Sequence, residues 1–425
     1  MRVSLWLLAL FSAAVAAALF AGSNPGSVTV FWPPYRIDLS LNLVLVLLLL
    51  GFLVLHLALR ALSALFSIPR EARLWRQRQR ERSMQASLLE AYAQLIAGRF
   101  VRAKKAAEAV VEQASHLAGG EDKLAHAGQL RAIAHLLAAE AAHLLQDRPG
   151  REIHYRAAQE QASRGLAPEA GEGVRLRAAR WALDDHDAAL ALQVLDDLGQ
   201  GPGRRTLALR MRLKAARMAG RTIMALEAAR LLAKHHALSQ TAARGVLRGL
   251  AIELVQAAHD PAQLVQAWSR LEAAERTMPD VASAAAMRLL TLGGDPVISR
   301  QWLLPIWEQM LNQPGGLGQQ HRVDLVRALE LGFANDPHVL EGEWLTRIES
   351  AQISQPGDAV LQYLAGVTCM RLQLWGKARQ LLQQSLVRMQ DAGLRREAWR
   401  QLAEMASQRG DAEAATEAWR SAAQA

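Results

Sequence analysis

Side chains able to bind metals or transfer protons are sparse in this sequence. His135 and His143 lie eight residues apart with Glu140 between them. On one helix this separation is too long for both rings to bind the same ion, for which a spacing of about four residues is usual. His235 and His236 are adjacent, so their rings point to different faces of a helix and we expect exposed side chains near a helix C-terminus. The histidines therefore predict no metal site.

Glycine and cysteine patterns exclude other kinds of site. Gly199, Gly201 and Gly203 resemble a dinucleotide-binding loop only superficially, because the full GxGxxG spacing is missing, Pro202 interrupts it and a helical segment precedes it. No GxxxxGK[ST] loop is present. The single cysteine, Cys369, excludes an intrachain disulfide and a cysteine-based metal site within one chain. We predict no catalytic residues and no metal ligands, and the sequence leaves any cofactor-binding residues unknown.

Tryptophan is the remaining candidate residue type. Seven tryptophans lie in the second half of the chain, at positions 268, 302, 307, 344, 375, 399 and 419. We expect them to pack between helices, and Trp399 and Trp419 to be at least partly buried. A ligand groove lined by some of the seven is the alternative.

The elements that carry these residues follow from a long apolar stretch near the N-terminus. From Leu41 to Leu59 no side chain has a formal charge, and eleven of these positions are leucine. The stretch predicts a membrane-spanning helix over 41–62. Arginines follow at positions 60, 70, 73, 76, 78, 80 and 82. They predict a basic juxtamembrane helix over 67–82, with Ser67 as its N-cap, on the cytoplasmic side.

A first uncharged run, residues 3–22, precedes this helix. Two interpretations remain open: a cleaved signal peptide, and a retained first span, which we favour because the run is close to spanning length. Retention makes residues 1–66 a two-helix transmembrane hairpin with both ends of the chain in the cytoplasm. In the connection 23–40, Gly26, Pro33 and Pro34 break helix, so it is then a short exported loop, and its aromatic residues suit the membrane–water interface.

Charge is unequally distributed along the chain. Residues 1–82 carry +6 of the total net charge of +9, so residues 83–425 carry +3. We therefore attribute the high isoelectric point largely to the membrane-proximal region, where basic groups attract anionic lipid. No recognised nucleic-acid-binding module surrounds the arginines, and we expect no nucleic acid partner.

Residues 83–425 are rich in helix-forming residues, and Gly and Pro interrupt them at intervals. The segment 364–386 aligns with 402–423 at an offset of 37 residues, close to the tetratricopeptide period. Small residues share equivalent positions in this alignment: Gly366 and Ala403, Ala378 and Ala415, Ser385 and Ala422. Such residues let antiparallel helices approach closely, which is typical of stacked helix pairs.

Further helix pairs are indicated at 88–111, with a turn at Gly98-Arg99, and at 136–162, 175–198 and 212–234. The repeat pattern is weaker over 240–350, although 264–276 and 321–333 keep helical periodicity. We therefore predict an all-α fold, in which the transmembrane hairpin is followed by a cytoplasmic tetratricopeptide-like α-solenoid over 83–425.

Five segments carry a resemblance to a known family: VTVFWPPYRIDLSLN (28–42), IPREARLWRQRQRER (68–82), LLEAYAQLIAGRFVRAKKA (88–106), LLAAEAAHLLQDR (136–148) and RLKAARMAGR (212–221). In these segments and in their order, the chain resembles the HemY proteins of proteobacterial haem metabolism over essentially its whole length. The resemblance implies a multi-pass inner-membrane protein, with its repeats in the cytoplasm, that acts in a late step of protohaem biosynthesis.

A flavin-dependent protoporphyrinogen oxidase shares the family's name but is unrelated to it, and this sequence lacks an FAD fingerprint. The resemblance therefore implies no oxidase activity and supplies no catalytic residues. We expect a protein that is not an enzyme and has no cofactor, and that acts as a scaffold organising terminal haem-biosynthesis enzymes or porphyrin transfer. Its expected partners are the lipid bilayer and those enzymes.

Two other functions remain open. One is a haem- or porphyrin-binding carrier that uses histidines and tryptophans, and the other is a tetratricopeptide adaptor for cytochrome maturation or envelope assembly. Such adaptors commonly lie outside the membrane, which conflicts with the arginine cluster. Self-association is also open, because a stripe of small residues on the first span lets another helix approach: Ala9, Ala13, Ala17 and Ala21.

Overall fold

The computed structural model describes residues 26–118, 127–163, 168–313, 315–334 and 343–425, together with Trp6, residues 11–16, Ala18 and Gly22. Most of the predicted first span lies outside these residues, so the two-helix hairpin stays a prediction. The described chain divides into two compact units, Met1–Ala167 and Pro168–Ala425, each of which is described by itself.

The first unit consists of a β-hairpin followed by helices. Its elements are β1 (Ser27–Trp32), β2 (Tyr35–Ser40), α1 (Leu41–Ile96), α2 (Phe100–Ala118), α3 (Ala127–Leu144) and α4 (Arg148–Ser163). Helix α1 packs against α2, α2 against α3, and α3 against α4. The turn at Gly98, whose φ is +73°, separates α1 from α2 at the position predicted from the sequence.

Helix α1 is one continuous helix of 56 residues. Its first part, Leu41–Leu62, is long and apolar enough to cross a membrane, and none of that part is buried against protein. Its last part packs in the first helix pair, where Met84 and Ala91 are fully buried. The predicted helix start at Ser67 is therefore not observed, because the backbone is helical from Leu41 onwards. The span and the first repeat helix belong to the same element.

The segment 23–40, predicted as a short exported loop, contains an antiparallel β-hairpin. Val30 pairs with Ile37 and Trp32 with Tyr35, which gives the hairpin one apolar face. The opposite face is more polar, and there Thr29 donates a hydrogen bond from Oγ1 to Oδ1 of Asp38 at 2.7 Å. The sequence VTVFW alternates with the period of a strand and so indicates β-structure. Residues that break helices do not by themselves distinguish a strand from a loop. The other regular elements of the described residues are helices, so the fold class is all-α apart from this hairpin.

The second unit contains sixteen described helices. They are α5 (Pro168–Asp184), α6 (Ala188–Asp196), α7 (Gln200–Gly203), α8 (Thr206–Met218), α9 (Thr222–Lys234), α10 (Gln240–Gln256), α11 (Pro261–Ser269), α12 (Ala273–Arg276), α13 (Pro279–Thr291), α14 (Pro296–Asn312), α15 (Gln319–Ala334), α16 (Glu343–Ser354), α17 (Ala359–Arg371), α18 (Trp375–Arg388), α19 (Ala392–Gln408) and α20 (Ala412–Gln424). Successive helices pack as pairs, most extensively α17 with α18 and α19 with α20.

The small residues aligned in the sequence lie where these paired helices cross. All six are buried: Gly366, Ala378, Ser385, Ala403, Ala415 and Ala422. A Cβ atom placed on Gly366 would come within 2.8 Å of Cγ of Leu382 on α18 and within 3.2 Å of its backbone nitrogen. Helices α17 and α18 therefore approach more closely than a side chain at this position allows.

Replacing Gly366 with alanine should lower the melting temperature of the protein. Overpacking a helix crossing costs about 1–3 kcal/mol, which exceeds the ~1 kcal/mol that alanine gains over glycine in a helix. The matched control is Gly376→Ala, also in this helix pair, where a Cβ atom has nothing within 4 Å. Thermal unfolding followed by circular dichroism compares the two variants. Equal melting temperatures would contradict the close crossing.

The weakly repetitive region contains a break that the sequence did not predict. The predicted helical segment 264–276 is divided between α11 and α12, whereas 321–333 lies within α15 as predicted. At the break, Glu275 is almost fully buried and accepts hydrogen bonds from Nε and Nη2 of Arg230 on α9, at 2.8 Å and 2.5 Å. The same carboxylate accepts from the backbone N–H of Glu272 at 2.9 Å, which starts α12. A buried ion pair and a helix cap thus require the backbone to interrupt its helix.

Candidate partner-binding groove

The histidines of the first unit bond to one another and to neighbouring side chains. The Nδ1 atoms of His135 on α3 and His154 on α4 lie 3.2 Å apart, so one ring donates to the other. His154 Nε2 lies 3.3 Å from Oε1 of Glu108 on α2. His143 accepts a hydrogen bond from Nη1 of Arg151 at 2.9 Å. The described part of the chain contains no group of three or more side chains placed to hold a metal ion.

The protonation of His135 gives a testable pH dependence. Burial, followed by the charges of His154 and Arg131, lowers the pKa of His135 from 6.5 to about 4. A folded-state pKa below the unfolded-state value favours the neutral ring on folding. The resulting stability is fully present above pH 6.5 and is lost as the pH falls towards 4.

We therefore expect the melting temperature of the wild-type protein to fall more steeply over this pH range than that of His135→Gln. Exposed His236 provides the control, because His236→Gln should follow the wild-type curve. Thermal unfolding at each pH is the measurement. Parallel curves for wild type and His135→Gln would show that the folded protein does not disfavour protonation of this ring.

The structure places the glycine pattern and the adjacent histidines in different elements. Gly199 is the N-cap of the four-residue helix α7 and Gly203 is its last residue, and α7 follows α6 instead of a strand. His235 caps the C-terminus of α9 and is exposed, as is His236. These side chains do not converge on a site.

Most of the candidate tryptophans belong to the core of the second unit. Trp268 and Trp302 stack with ring centroids 4.5 Å apart, and Trp307 meets Trp344 edge-on at 5.9 Å. None of these four lines the two grooves described below. They pack between helices, as predicted.

Two tryptophans near the C-terminus differ in exposure. Trp399 is partly buried, as predicted, and lines a groove of about 250 Å³ among α18, α19 and α20. Trp419 keeps 45% of its surface exposed, so the prediction of burial is poorly met there. The reason is that α20 packs through another side of the helix, with Ala415, Ala418 and Ala422 buried.

One buried carboxyl group in the second unit, that of Glu330, lies in an environment that shifts its pKa. Tyr363 on α17 donates from its hydroxyl to Oε2 of Glu330 on α15 at 2.8 Å. Burial raises the pKa of Glu330, and burial together with that carboxylate raises the pKa of Tyr363. Neither residue lines either of the two grooves described here, and their hydrogen bond connects α15 with α17.

A basic groove lies between α8 and α10, which both pack against α9. Its volume is about 550 Å³, and six side chains line it: Arg210, Leu213, Lys214, Arg217, Met218 and Glu253. The three cations follow one another at intervals of four and three residues on α8, so they share one face of that helix. Arg210, Lys214 and Arg217 are all exposed.

None of these three cations has a carboxylate partner among the described residues, in contrast to Arg212 and Arg248. Arg212, one position beyond this face, lies 2.9 Å from Asp196, and Arg248 on α10 lies 2.8 Å from Asp280. Arg210 instead donates from Nη2 to the carbonyl oxygen of Ala237 at 3.0 Å, which holds its side chain at the groove. With three cations and one carboxylate, Glu253, in its lining, the groove therefore presents a net positive charge to solvent.

Sequence reasoning missed this groove, although a signal for it exists. Residues 204–248 contain eleven lysines and arginines and one acidic residue, Glu227, which is a net charge of +10. Because residues 83–425 carry only +3 in total, the remainder of that region is acidic by −7. In the total for residues 83–425, the positive charge of 204–248 and the negative charge of the remainder cancel in large part. A count over shorter windows would have located the basic segment.

The fold and the groove define a class of protein: a helical-repeat protein with an apolar helix long enough to cross a membrane and a basic groove between repeat helices. Residues 26–146 match the family model described as "HemY protein N-terminus". Over these residues the match agrees with the resemblance to HemY proteins described above.

Among solved structures, the chain is similar to the APC/C hetero-tetramer Cut9–Hcn1, with 14% identity, 79% of this chain and 65% of that chain covered, and a TM-score of 0.28. It is also similar to the P58(IPK) TPR domain, with 14% identity, 77% of this chain and 99% of that chain covered, and a TM-score of 0.24. The chain thus spans about two thirds of the first of these structures. No curated protein matches the chain.

Proposed function

We propose that the protein is a scaffold, without catalytic activity or a bound cofactor, that holds terminal haem-biosynthesis enzymes at the cytoplasmic face of the inner membrane. The observation that carries the proposal is the continuity of α1, in which the apolar segment Leu41–Leu62 and the first repeat helix form one element. A repeat surface attached in this way cannot separate from the membrane.

The geometry of α1 supports close tethering. From Leu62 to Met84, the next fully buried residue described on this helix, there are 22 residues. At 1.5 Å per residue they span about 33 Å along the helix axis. Partners bound to the repeats would therefore stay near the bilayer. Tethering of this kind raises effective concentrations to roughly millimolar, which favours transfer of poorly soluble intermediates.

The direction of α1 across the membrane is a separate part of the proposal. We expect both chain ends inside, because seven arginines follow the apolar segment. A reporter that is active only outside the inner membrane, fused after Ala425, should be silent. The same reporter inserted after Gly26, in the proposed exported connection, is the positive control. Activity at Ala425 would contradict both the orientation and the site of action.

The scaffold function is tested by separating the tether from the repeats. Full-length protein purified from native membranes after crosslinking should carry terminal haem-biosynthesis enzymes with it, and alone should neither oxidise protoporphyrinogen nor insert iron. Deleting residues 1–62 should abolish support of haem synthesis in cells while the helical content, measured by circular dichroism, is kept. Fusing an unrelated two-span hairpin of the same orientation in their place should restore it.

Two results would oppose this function. The first is turnover of a porphyrin substrate by the purified protein alone. The second is a stoichiometric absorbance change on titration with haem, which would favour the carrier alternative. Restoration by the unrelated hairpin distinguishes tethering from a specific role of the native span.

A further inference from the structure

We propose that the basic groove between α8 and α10 binds an acidic segment of a partner protein, one that presents several Asp or Glu side chains beside an apolar residue. This inference deepens the proposed scaffold function, on which it rests, by naming where a partner attaches and what chemistry the groove selects.

The spacing of the cations suits a peptide segment. Arg210 and Arg217 are seven residues apart on α8, which is about 10.5 Å along the helix axis. Lys214 lies between them on the same face. A linear array of three charges over this length matches carboxylates distributed along an extended or helical segment. This array is longer than the surface that a single carboxylate group could contact.

The remaining lining residues define what else the partner carries. Leu213 and Met218 form a small apolar patch beside the cations, and both are only partly covered. Glu253 on α10 accepts a hydrogen bond from Oγ1 of Thr222 at 3.1 Å and is the one acidic group of the lining. A bound segment therefore places its carboxylates against α8 and away from Glu253, with an apolar side chain over Leu213 and Met218.

Other anionic ligands fit this groove less well. Single-stranded nucleic acid sites combine cations with aromatic rings on which bases stack, and no ring is among the six lining side chains. Large planar cofactors require mostly apolar, enclosed pockets, whereas two apolar side chains line this open groove. A bilayer surface is too flat to enter a concavity between two helices.

The test uses full-length protein in detergent micelles and a fluorescein-labelled peptide of sixteen residues built from repeated Glu-Leu-Glu-Asp units. Fluorescence anisotropy should show saturable binding that weakens as salt is raised, because the contacts are charged and exposed. The same peptide with Gln and Asn in place of Glu and Asp should not bind. No saturable binding of the acidic peptide to wild-type protein would overturn the proposal.

The variant R210Q/K214Q/R217Q should lose about tenfold or more in affinity for the acidic peptide, as expected for three exposed charge contacts acting together. The matched control is R99Q/R102Q/K105Q at the start of α2, which removes two exposed arginines and one exposed lysine outside the groove. Circular dichroism checks that both variants keep their helices. Equal affinity of the two variants would remove the groove as the site.

Competition experiments distinguish the other classes of partner. A sixteen-nucleotide single-stranded RNA or vesicles containing one third anionic lipid, if they bind the groove cations more tightly than the peptide, would replace an acidic protein segment with a different partner. In cells, haem enzymes that co-purify with wild type should be lost from R210Q/K214Q/R217Q and kept by the control variant. If they are kept by both, the groove proposal fails while the scaffold function stands. If they are absent from wild type, the scaffold function itself fails.

Discussion

Replacing Arg230 with methionine is expected to destabilise the second unit by about 3–5 kcal/mol, because it leaves a buried carboxylate without its partner. Glu275 is only 2% exposed and receives two hydrogen bonds from this guanidinium. Arg230 also donates from Nη2 to the carbonyl oxygen of Arg270 at 3.0 Å, so the change removes a contact that the helix break requires. Denaturant unfolding of the purified protein measures the difference.

Two further variants separate loss of the ion pair from loss of the arginine side chain. The double variant Arg230→Met, Glu275→Met should recover much of the stability, because apolar side chains can replace a buried pair at little cost. Arg205→Met is the exposed counterpart: Arg205 lies 2.6 Å from Glu172 but is 62% exposed, and its loss should cost about 1 kcal/mol or less. If Arg230→Met and Arg205→Met cost the same, the Glu275 carboxylate does not depend on its buried partner.

Replacing Trp307 with alanine should have a comparable effect, a loss of about 3–5 kcal/mol. Trp307 is 1% exposed, and its ring meets Trp344, which in turn meets Phe333 with ring centroids 6.0 Å apart. Removing the indole leaves a buried cavity beside Trp344. Thermal and denaturant unfolding should both report the change.

The indole of Trp307 also allows a finer comparison. Its Nε1 has no hydrogen-bond partner among the described residues, so Trp307→Phe removes an unsatisfied polar atom along with some volume. This variant should therefore cost clearly less than Trp307→Ala. Trp419→Ala removes a ring that is 45% exposed, so it should lower the free energy of unfolding by less than Trp307→Ala does. A large loss for Trp419→Ala would mean that the ring is covered in solution.

Helix pairs were predictable because their signals are local. Gly98 sits at the predicted turn, and Gly366 and Ala403 lie at predicted helix crossings, since close approach requires small side chains wherever helices cross. The apolar segment 41–62 was equally clear from its length and composition. These features depend on residues that are near one another in the sequence.

Features that depend on distant residues were missed. At the break between α11 and α12, Glu275 bonds to Arg230, which lies 45 residues earlier in the chain. No helical period within 264–276 contains that information. The groove likewise depends on α10 lying beside α8, and the averaged charge concealed the basic segment. The β-hairpin is different, because the alternation in its first strand is local, whereas Gly26, Pro33 and Pro34 indicate only that no helix forms.

Because α1 is unbroken, the number of residues between Leu62 and Met84 sets both the angle of the first helix pair about the helix axis and its distance from the apolar segment. Each residue inserted between Leu62 and Met84 would rotate the first helix pair by about 100° about the helix axis and move it about 1.5 Å further from the apolar segment. Seven inserted residues would restore the original direction to within about 20° and place the pair about 10.5 Å further out. The length of this connection therefore fixes the rotation of the first helix pair about the helix axis. It determines which side of the first repeat faces neighbouring proteins in the plane of the bilayer.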